Sequence, residues 1–229
     1  MKASIITVCF NSSKSIFDCI DSVNNQTYVS LEHIFIDANS EDETPNIIKK
    51  YSKRDLRFVS ESDNGIYDAM NKGVKIATGD FICFLNSDDF YSSNNVIENV
   101  SKLFIKNNLD VVYGNIDYVN SQKKYIRTFK SPSNFRNILN GFQIPHPAIF
   151  IKSSYLKNMK YPFDPNLKIA SDFGQQIYLA NNFTIRAEKI NKSLVKMRIG
   201  GASGNFMNRM IGWIETSRIF NRITKRNGV

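Results

Sequence analysis

The first half of the chain alternates short β-branched runs with helical patterns, and this alternation limits the possible folds. A helical pattern follows the first run, with apolar residues three or four positions apart at Ile16, Ile20 and Val23. The strand-like runs are SIITVCF (4–10), LEHIFIDANS (31–40), LRFVSES (56–62), GDFICFL (79–85) and LDVVYGNI (109–116). Such alternation predicts an α/β fold with a Rossmann-like, mostly parallel sheet and helices on both faces.

Polar residues follow four of these runs directly, at the carboxyl ends of the predicted strands. In a doubly wound sheet these ends share one edge, where ligands bind near the switch in strand order. The residues expected at this edge are Asn11, Asp37, Asp42, Asp63, Asp88 and Asp89. Carboxylates gathered there repel one another unless a cation or a hydrogen-bonding ligand joins them. The edge is therefore predicted to be a binding site, although Asp42 could instead cap the following helix.

The stretch FLNSDDFY (84–91) limits the kind of ligand, because Asp88 and Asp89 are adjacent. Neither GxGxxG nor GxxxxGK[ST] follows the first predicted strand, so the usual glycine-rich phosphate loops are missing. Paired carboxylates favour Mg²⁺ or Mn²⁺, whose remaining positions phosphate oxygens can fill. An isolated aspartate at a strand end can bind a ribose hydroxyl or a base N–H. Together these features predict a nucleoside diphosphate bridged to the protein by a metal ion.

The composition indicates a folded chain, since 42% of its 229 residues are hydrophobic. No apolar run reaches the roughly 18–20 residues of a membrane span, and the start lacks the features of a signal peptide. A cytoplasmic location is predicted, with the inner face of the cell membrane as a further alternative. The three cysteines show no metal-binding spacing and are interpreted as reduced core thiols.

Charge is divided unevenly along the chain. Residues 1–117 carry a net charge of −6 and residues 118–229 a net charge of +15, and 118–163 contain no acidic residue. A basic face suits an anionic partner such as phosphate, nucleic acid or an anionic membrane. A solvated, lysine-rich surface is the alternative interpretation.

Several motifs resemble those of the family 2 glycosyltransferases of the GT-A fold, especially bacterial surface-polysaccharide and O-antigen enzymes. They are SIITVCFN, IDANSEDET, FLNSDD, SDFGQQIYL and, most specifically, SESDNGIYDAMNKGVKIATGD (60–80). The similarity covers about residues 3–200. It divides the chain into a GT-A domain (1–204) with a nucleotide-sugar-binding half (1–117) and an acceptor-binding half (118–204), followed by a C-terminal helix (205–229).

The resemblance implies roles for individual residues of the donor site. Asp37 would contact uracil, Asp63 would lie along the nucleotide pocket, Asp88 would be the leading ligand of Mn²⁺ or Mg²⁺, and Asp89 would bind the metal or ribose. Other implied donor contacts are Phe10, Asn11, Asn71, Asn86 and Ser87. Asn86 stands where the family often has an acidic residue, which changes how ribose would be held.

The resemblance also implies residues on the acceptor side. Asp172 matches the catalytic aspartate that takes the acceptor proton, with a helix N-cap as the alternative role. His146 would contact the acceptor, whereas His33 is interpreted as structural. The loop RIGGASGN (198–205) is similar to a mobile loop that closes over the donor, with a plain linker as the alternative.

The implied activity is that of an inverting, metal-dependent glycosyltransferase of the hexosyltransferase type. It would move a sugar from a UDP-sugar to a lipid-linked saccharide acceptor in bacterial surface polysaccharide, O-antigen or lipopolysaccharide synthesis. The alternative is a noncatalytic scaffold that binds a sugar nucleotide. Nucleic-acid binding ranks last because no recognised motif supports it.

The final segment, 205–229, has Phe206, Met210, Ile214 and Ile219 near helical spacing and is rich in basic residues. A basic amphipathic helix can lie on an anionic membrane as a peripheral anchor. Packing on the catalytic domain and a homodimer contact are equally compatible with the pattern.

Overall fold

The computed structural model describes residues 1–200 and 206–226, in which nine strands form a single sheet. The strands are β1 (Ala3–Cys9), β2 (Leu31–Asp37), β3 (Asp55–Ser60), β4 (Phe81–Phe84), β5 (Phe90–Tyr91), β6 (Val111–Val119), β7 (Tyr125–Phe129), β8 (Ile149–Lys152) and β9 (Ala187–Arg198). The α-helices are α1 (Ile16–Asn24), α2 (Thr44–Tyr51), α3 (Ile66–Ile76), α4 (Val96–Asn107), α5 (Ser153–Lys157), α6 (Ser171–Asn182) and α7 (Phe206–Arg226).

The sheet has a parallel half and a mixed half. Its strand order is β3–β2–β1–β4–β8–β6–β9–β5, with β7 paired to β6. The first four strands are all parallel, whereas β8 runs antiparallel to both β4 and β6. Strand β9 returns parallel to β6, and β5 pairs antiparallel with β9. The predicted α/β fold is confirmed, and of the mixed half the strand-like runs in the sequence analysis include only β6.

Helices cover both faces of the parallel half, as predicted. Along β1, alternate side chains point to opposite faces, so Ile6 and Val8 pack with α3 and α6. Ala3 and Ile5 pack on the other face with α1 and α4. Because β1 is buried on both faces, it is apolar or uncharged along its whole length.

Two further sequence predictions are confirmed inside this core. All three cysteines are buried and free, as expected for reduced core thiols. His33 is buried and lies 3.0 Å from the Thr7 hydroxyl through its Nε2 atom, which is consistent with a structural role.

The C-terminal helix packs on the domain through part of its surface. The rings of Phe173 in α6 and Phe220 in α7 lie 5.5 Å apart, and the Glu215 side chain is buried. Met207, Met210 and Trp213 remain exposed on the same helix. Within the described ranges, no helix has the length and hydrophobicity needed to cross a bilayer. The predicted domain boundary at 204 and most of the glycine loop fall in 201–205, outside the described residues.

A buried carboxylate joins the strands at the edge opposite the strand carboxyl ends. Glu32 accepts hydrogen bonds from the Ser4 hydroxyl and the Thr78 backbone N–H, both at 2.6 Å. It also pairs with Lys2 at 3.1 Å and Arg57 at 3.0 Å. Burial alone raises the pKa of Glu32, but the bonds from Ser4, Thr78 and Lys2 outweigh it and lower the pKa to about 2.

This lowered pKa predicts a dependence of stability on pH. The stabilisation from Glu32 is complete above its unfolded pKa near 4.5 and is lost as pH falls toward 2. In urea titrations from pH 7 to pH 3 we expect the wild type to lose about 2 kcal/mol through this group. Glu32→Gln should have a lower free energy of unfolding at pH 7, and this free energy should change less with pH. The exposed Glu41→Gln control should follow the wild type. Equal pH slopes for wild type and Glu32→Gln would contradict this account.

Candidate active site

A cavity of about 1230 Å³ opens at the carboxyl edge of the parallel strands. Its walls come from the ends of β1 and β4, the start of α3, the start of α6 and part of α7. The predicted site residues in its lining are Phe10, Asn11, Asp63, Asn86, Ser87, Asp88, His146 and Asp172. Asp37, Asn71 and Asp89 lie outside this lining. The fold thus gathers eight of the eleven predicted site residues at one place.

The loop after β1 is fixed by Asn11, which adopts a left-handed backbone with φ of 47°. Asparagine tolerates this conformation better than most residues. Its side-chain oxygen accepts the Glu41 N–H at 3.0 Å, and its own N–H donates to Ser40 at 2.8 Å. These bonds tie the loop after β1 to the loop after β2.

Asp42 stands one residue before Glu43, the N-cap of α2, and ties the start of this helix to the loop after β1. Its carboxylate accepts the backbone N–H groups of Ser13 at 3.0 Å and Thr44 at 2.9 Å. Burial opposes the charge, but these hydrogen bonds prevail and hold the pKa of Asp42 well below its usual range. Asp42 therefore stabilises the loop around the cavity.

The Asp37 carboxylate is buried and already hydrogen-bonded. It accepts the Ser40 N–H at 3.0 Å and the Ser60 hydroxyl at 2.6 Å, and the Cys9 thiol lies 3.6 Å away. A contact with uracil would require one of these serines to give way to the base. The role implied for Asp37 stays a prediction.

The adjacent carboxylates at the end of β4 occupy different environments. Asp89 is fully buried and accepts bonds from the Asn86 side chain at 3.0 Å and the Arg198 N–H at 3.3 Å. Asp88 is partly exposed in the cavity. Burial raises the pKa of Asp88, with Arg198 opposing the shift, while burial and then the Asp88 charge raise that of Asp89. The burial of both carboxyl groups disfavours their ionised forms, and the Arg198 charge partly offsets this.

Arg198 joins three parts of the structure at this point. Its guanidinium donates to the Asp88 carbonyl oxygen at 2.5 Å and to the Asp18 carboxylate in α1. Arg198 is the last residue of β9, so it links the second half of the sheet to the Asp88–Asp89 turn. No spacing in the sequence identifies this long-range partner.

The donor set at Asp88 fits a hard divalent cation. A carboxylate oxygen open to the cavity suits Mg²⁺ or Mn²⁺, which commonly complete their coordination with phosphate oxygens and water. Among the described residues, no group of three His, Cys, Asp or Glu side chains forms a ready-made metal site. Any ion there would need ligands from the bound donor.

The start of α3 contributes the next wall. Asp63 accepts the Gly65 N–H at 2.8 Å, and Gly65 has φ of 115°, a conformation that glycine adopts readily. Asn71 makes reciprocal bonds with the Phe163 backbone, at 2.8 Å to the carbonyl and 3.0 Å from the N–H. Its side chain therefore positions the segment before α6, and the donor contact implied for Asn71 stays a prediction.

Asp172 lies in the first turn of α6, where the helix dipole favours a negative charge. The Tyr67 hydroxyl lies 2.6 Å from the Ile169 carbonyl and 3.2 Å from Oδ1 of Asp172. Burial, and then the Asp172 charge, raise the pKa of Tyr67, so the phenol stays protonated. Tyr67 was missed in the sequence analysis, although it stands within the motif IYDAMNKG.

Two polar side chains near Asp172 have unused hydrogen-bonding capacity. His146 is 93% buried, lines the cavity, and has no hydrogen-bond partner for either ring nitrogen among the described residues. Gln176 donates to the Ile144 carbonyl at 3.0 Å, while its side-chain oxygen has no such partner. Buried polar groups normally find partners, so these two point to a polar ligand in the cavity. Gln176 carries no signal in the sequence that distinguishes it from a surface glutamine.

Burial lowers the pKa of His146, partly offset by the charge of Asp172, and lowers the pKa of His33 to about 3. We therefore expect both imidazoles, the only two in the chain, to remain neutral between pH 8 and pH 7 and His146 to titrate below 6.5. Imidazole nitrogen NMR from pH 8 down to about pH 4, assigned with His146→Gln, measures this directly. A His146 midpoint at or above 6.5 would contradict the buried, neutral ring.

Comparison with solved structures supports the fold assignment. Residues of this chain superpose on TarS 1–349 from S. aureus with a TM-score of 0.74, at 22% identity, over 86% of this chain and 60% of that one. The mannosyltransferase PcManGT from Pyrobaculum calidifontis, in complex with GDP-Man and Mn²⁺, gives a TM-score of 0.73 at 15% identity, over 100% of this chain and 65% of that one. The predicted GT-A fold is confirmed.

Sequence relatives include named bacterial glycosyltransferases. A poly(ribitol-phosphate) beta-glucosyltransferase of Bacillus spizizenii is 29% identical over 84% of this chain and 31% of the relative. WfgD of Escherichia coli, a UDP-Glc:alpha-D-GlcNAc-diphosphoundecaprenol beta-1,3-glucosyltransferase, is 29% identical over 70% of this chain and 64% of the relative. The chain spans about a third of the length of several of these relatives.

The family model described as glycosyl transferase family 2 matches residues 4–159, which include β1, β4 and the Asp88–Asp89 turn. This match covers more than half of the chain and agrees with the geometry of the cavity and with the superposed structures. The chain belongs to glycosyl transferase family 2.

Proposed function

We propose that this protein transfers a sugar from a UDP-sugar to a saccharide acceptor with inversion at the anomeric carbon. One observation carries the proposal: Asp88, suited to a metal and a diphosphate, and Asp172, suited to a general base, line the same cavity. A volume of about 1230 Å³ can hold a nucleotide sugar together with part of an acceptor.

The donor would enter along the carboxyl edge of β1 and β4. Phe10, Asn11, Asp63, Asn86 and Ser87 line this part of the cavity and would surround the nucleotide. The choice of UDP is supported by WfgD, whose name specifies UDP-Glc, and by a TarS structure in complex with UDP-GlcNAc.

Asp88 would hold the divalent ion, Mn²⁺ or Mg²⁺, while Asp89 stays fixed by Asn86 and the Arg198 backbone. A bound divalent ion would neutralise charge on the diphosphate leaving group as the sugar–phosphate bond breaks. The PcManGT complex with Mn²⁺ supports divalent metal use in this fold. Asp88 is thereby assigned to departure of the nucleotide and Asp172 to activation of the acceptor.

Asp172 would take the proton of the acceptor hydroxyl as its oxygen attacks the anomeric carbon from the side opposite the diphosphate. The new glycosidic bond forms as the bond to the diphosphate breaks, which inverts the configuration. Asp172 lies in the first turn of α6, and the Tyr67 hydroxyl orients its side chain. His146 would bind an acceptor hydroxyl.

The acceptor class is a saccharide linked to a lipid diphosphate, used in bacterial surface polysaccharide or O-antigen synthesis. WfgD supports this choice, because its name gives a diphosphoundecaprenol-linked acceptor. The +15 net charge of residues 118–229 suits such an anionic substrate and work at the inner face of the membrane.

The direct test is release of UDP from a panel of UDP-sugars with Mn²⁺, Mg²⁺ or EDTA, without acceptor. We expect slow, metal-dependent release from one donor, reduced at least a hundredfold in Asp88→Asn. Asp68→Asn, a change outside the cavity lining, is the matched control and should retain release. No release and no metal-dependent binding of any UDP-sugar by the wild type would reject the proposal; tight donor binding without turnover would favour a noncatalytic scaffold.

A second prediction separates orientation of the base from donor binding. Tyr67→Phe removes the hydroxyl that contacts Asp172 and Ile169 while keeping the ring. We expect kcat for transfer to fall about tenfold, the loss of roughly one hydrogen bond to a charged group, with the Kd for UDP unchanged. Isothermal titration with UDP and steady-state kinetics measure the two quantities, and an unchanged kcat would remove Tyr67 from the mechanism.

A further inference from the structure

Helix α7 is fixed to the segment that precedes the proposed base. Glu215 is 94% buried, and its carboxylate accepts the backbone N–H groups of Lys168 at 2.8 Å, Ile169 at 2.9 Å and Ala170 at 2.9 Å. Asp172 follows two residues later. Three hydrogen bonds to one charged group hold α7 in a defined position relative to Asp172.

A glycine allows α7 to approach this segment closely. A Cβ atom at Gly212 would lie only 2.9 Å from Cγ2 of Ile169. Two turns later, Ile219 lies against Gly174 of α6, and its Cδ1 atom is 3.4 Å from the position of a Cβ atom at Gly174. The helix is therefore packed tightly on one side, and this packing holds the residue after Gly212 in a defined position in the cavity wall.

That residue is Trp213, whose side chain is 78% exposed and lines the cavity. It is the only tryptophan in the chain. An indole offers a wide, rigid apolar face, and in the lining of a cavity such a face can pack against a ligand. Nothing in the donor site described above uses it.

Two cationic side chains accompany the indole in the lining. Arg209 lies one helical turn before Trp213 on the same side of α7, and Lys168 lies on the segment bound by Glu215. Both are exposed. Cationic groups beside an aromatic face match a ligand that combines a sugar ring with a phosphate.

We propose that Trp213 is a stacking platform for a sugar ring of the acceptor, and that Arg209 and Lys168 bind a phosphate of the same acceptor. This inference rests on the proposed function and assigns its acceptor subsite. The C–H face of a pyranose ring is apolar and packs on the indole, while its edge hydroxyls can reach the unpartnered groups of His146 and Gln176.

A membrane surface is the rival partner for the exposed side of α7. Met207, Met210 and Ile214 are also exposed on this helix, but of these four apolar residues only Trp213 lines the cavity. Its place in the same cavity as Asp172 and the two cations favours the saccharide.

The test uses the intrinsic fluorescence of Trp213, which reports on this site alone because the chain has no other tryptophan. The probes are the α-1-diphosphates of glucose, galactose, mannose, N-acetylglucosamine and N-acetylgalactosamine on a short alkyl chain, added with UDP and Mn²⁺. We expect a saturable change in emission with at least one probe. By calorimetry, Trp213→Ala should raise the Kd of that probe about threefold to tenfold, and Trp213→Phe by less.

Two further variants distinguish the parts of the site. Arg209→Gln should weaken binding of the diphosphate probe but not binding of the methyl glycoside of the same sugar. Met210→Ala, an equally exposed apolar change on α7 outside the cavity lining, should bind the probe as the wild type does.

The proposal is overturned if no probe changes the emission, or if Trp213→Ala and the wild type bind with equal Kd. It is also overturned if vesicles of phosphatidylglycerol alone shift the emission and both Trp213→Ala and Met210→Ala weaken vesicle binding, which would assign this face to the membrane. UDP release without acceptor keeps the two proposals separate. If Trp213→Ala still releases UDP, the donor chemistry is intact, and a loss of probe binding in this variant then concerns the acceptor subsite alone.

Discussion

Parallel pairing of β3, β2, β1 and β4 brings the carboxyl ends of four strands to one edge, and the loops that form the proposed donor side of the cavity depend on this arrangement. Because each of these strands is followed by a loop on the same edge, residues far apart in sequence meet there. Ser12 after β1 lies 2.9 Å from Ser87 after β4, hydroxyl to hydroxyl. The buried core on both faces of the sheet holds these loops in register, so the site is placed by the fold rather than by local sequence.

The second half of the chain completes the site by crossing back onto this edge. Strand β9 brings Arg198 to the Asp88–Asp89 turn, and the Glu215 carboxylate brings α7 to the segment before Asp172. Both contacts pair a charged side chain with backbone groups, which fixes geometry more firmly than packing alone. The acidic first half and the basic second half therefore meet at the cavity, where the proposed diphosphate and acceptor would lie.

The sequence predicted the parallel half well because its signals are local. Buried strands such as SIITVCF read as continuous apolar runs, and the polar residues after them mark the strand ends. It did not predict the antiparallel β8 or the pairing of β5 with β9, since these depend on contacts between distant segments. Asp88 and Asp172 could be proposed from motifs, whereas Tyr67, Gln176 and Trp213 acquire meaning only when the cavity is seen. The donor contacts predicted for Asp37 and Asn71 stay predictions. Both side chains already have hydrogen-bond partners within the protein.

The central claim is that the donor diphosphate and a divalent ion meet at Asp88 in this cavity. A crystal structure of the protein with UDP and Mn²⁺, with anomalous diffraction collected near the manganese edge, tests it most directly. The account predicts an anomalous peak within about 2.1–2.3 Å of an Asp88 carboxylate oxygen and bridged to the diphosphate of UDP. UDP bound in the cavity with manganese absent from Asp88, or UDP bound elsewhere on the protein, would contradict it.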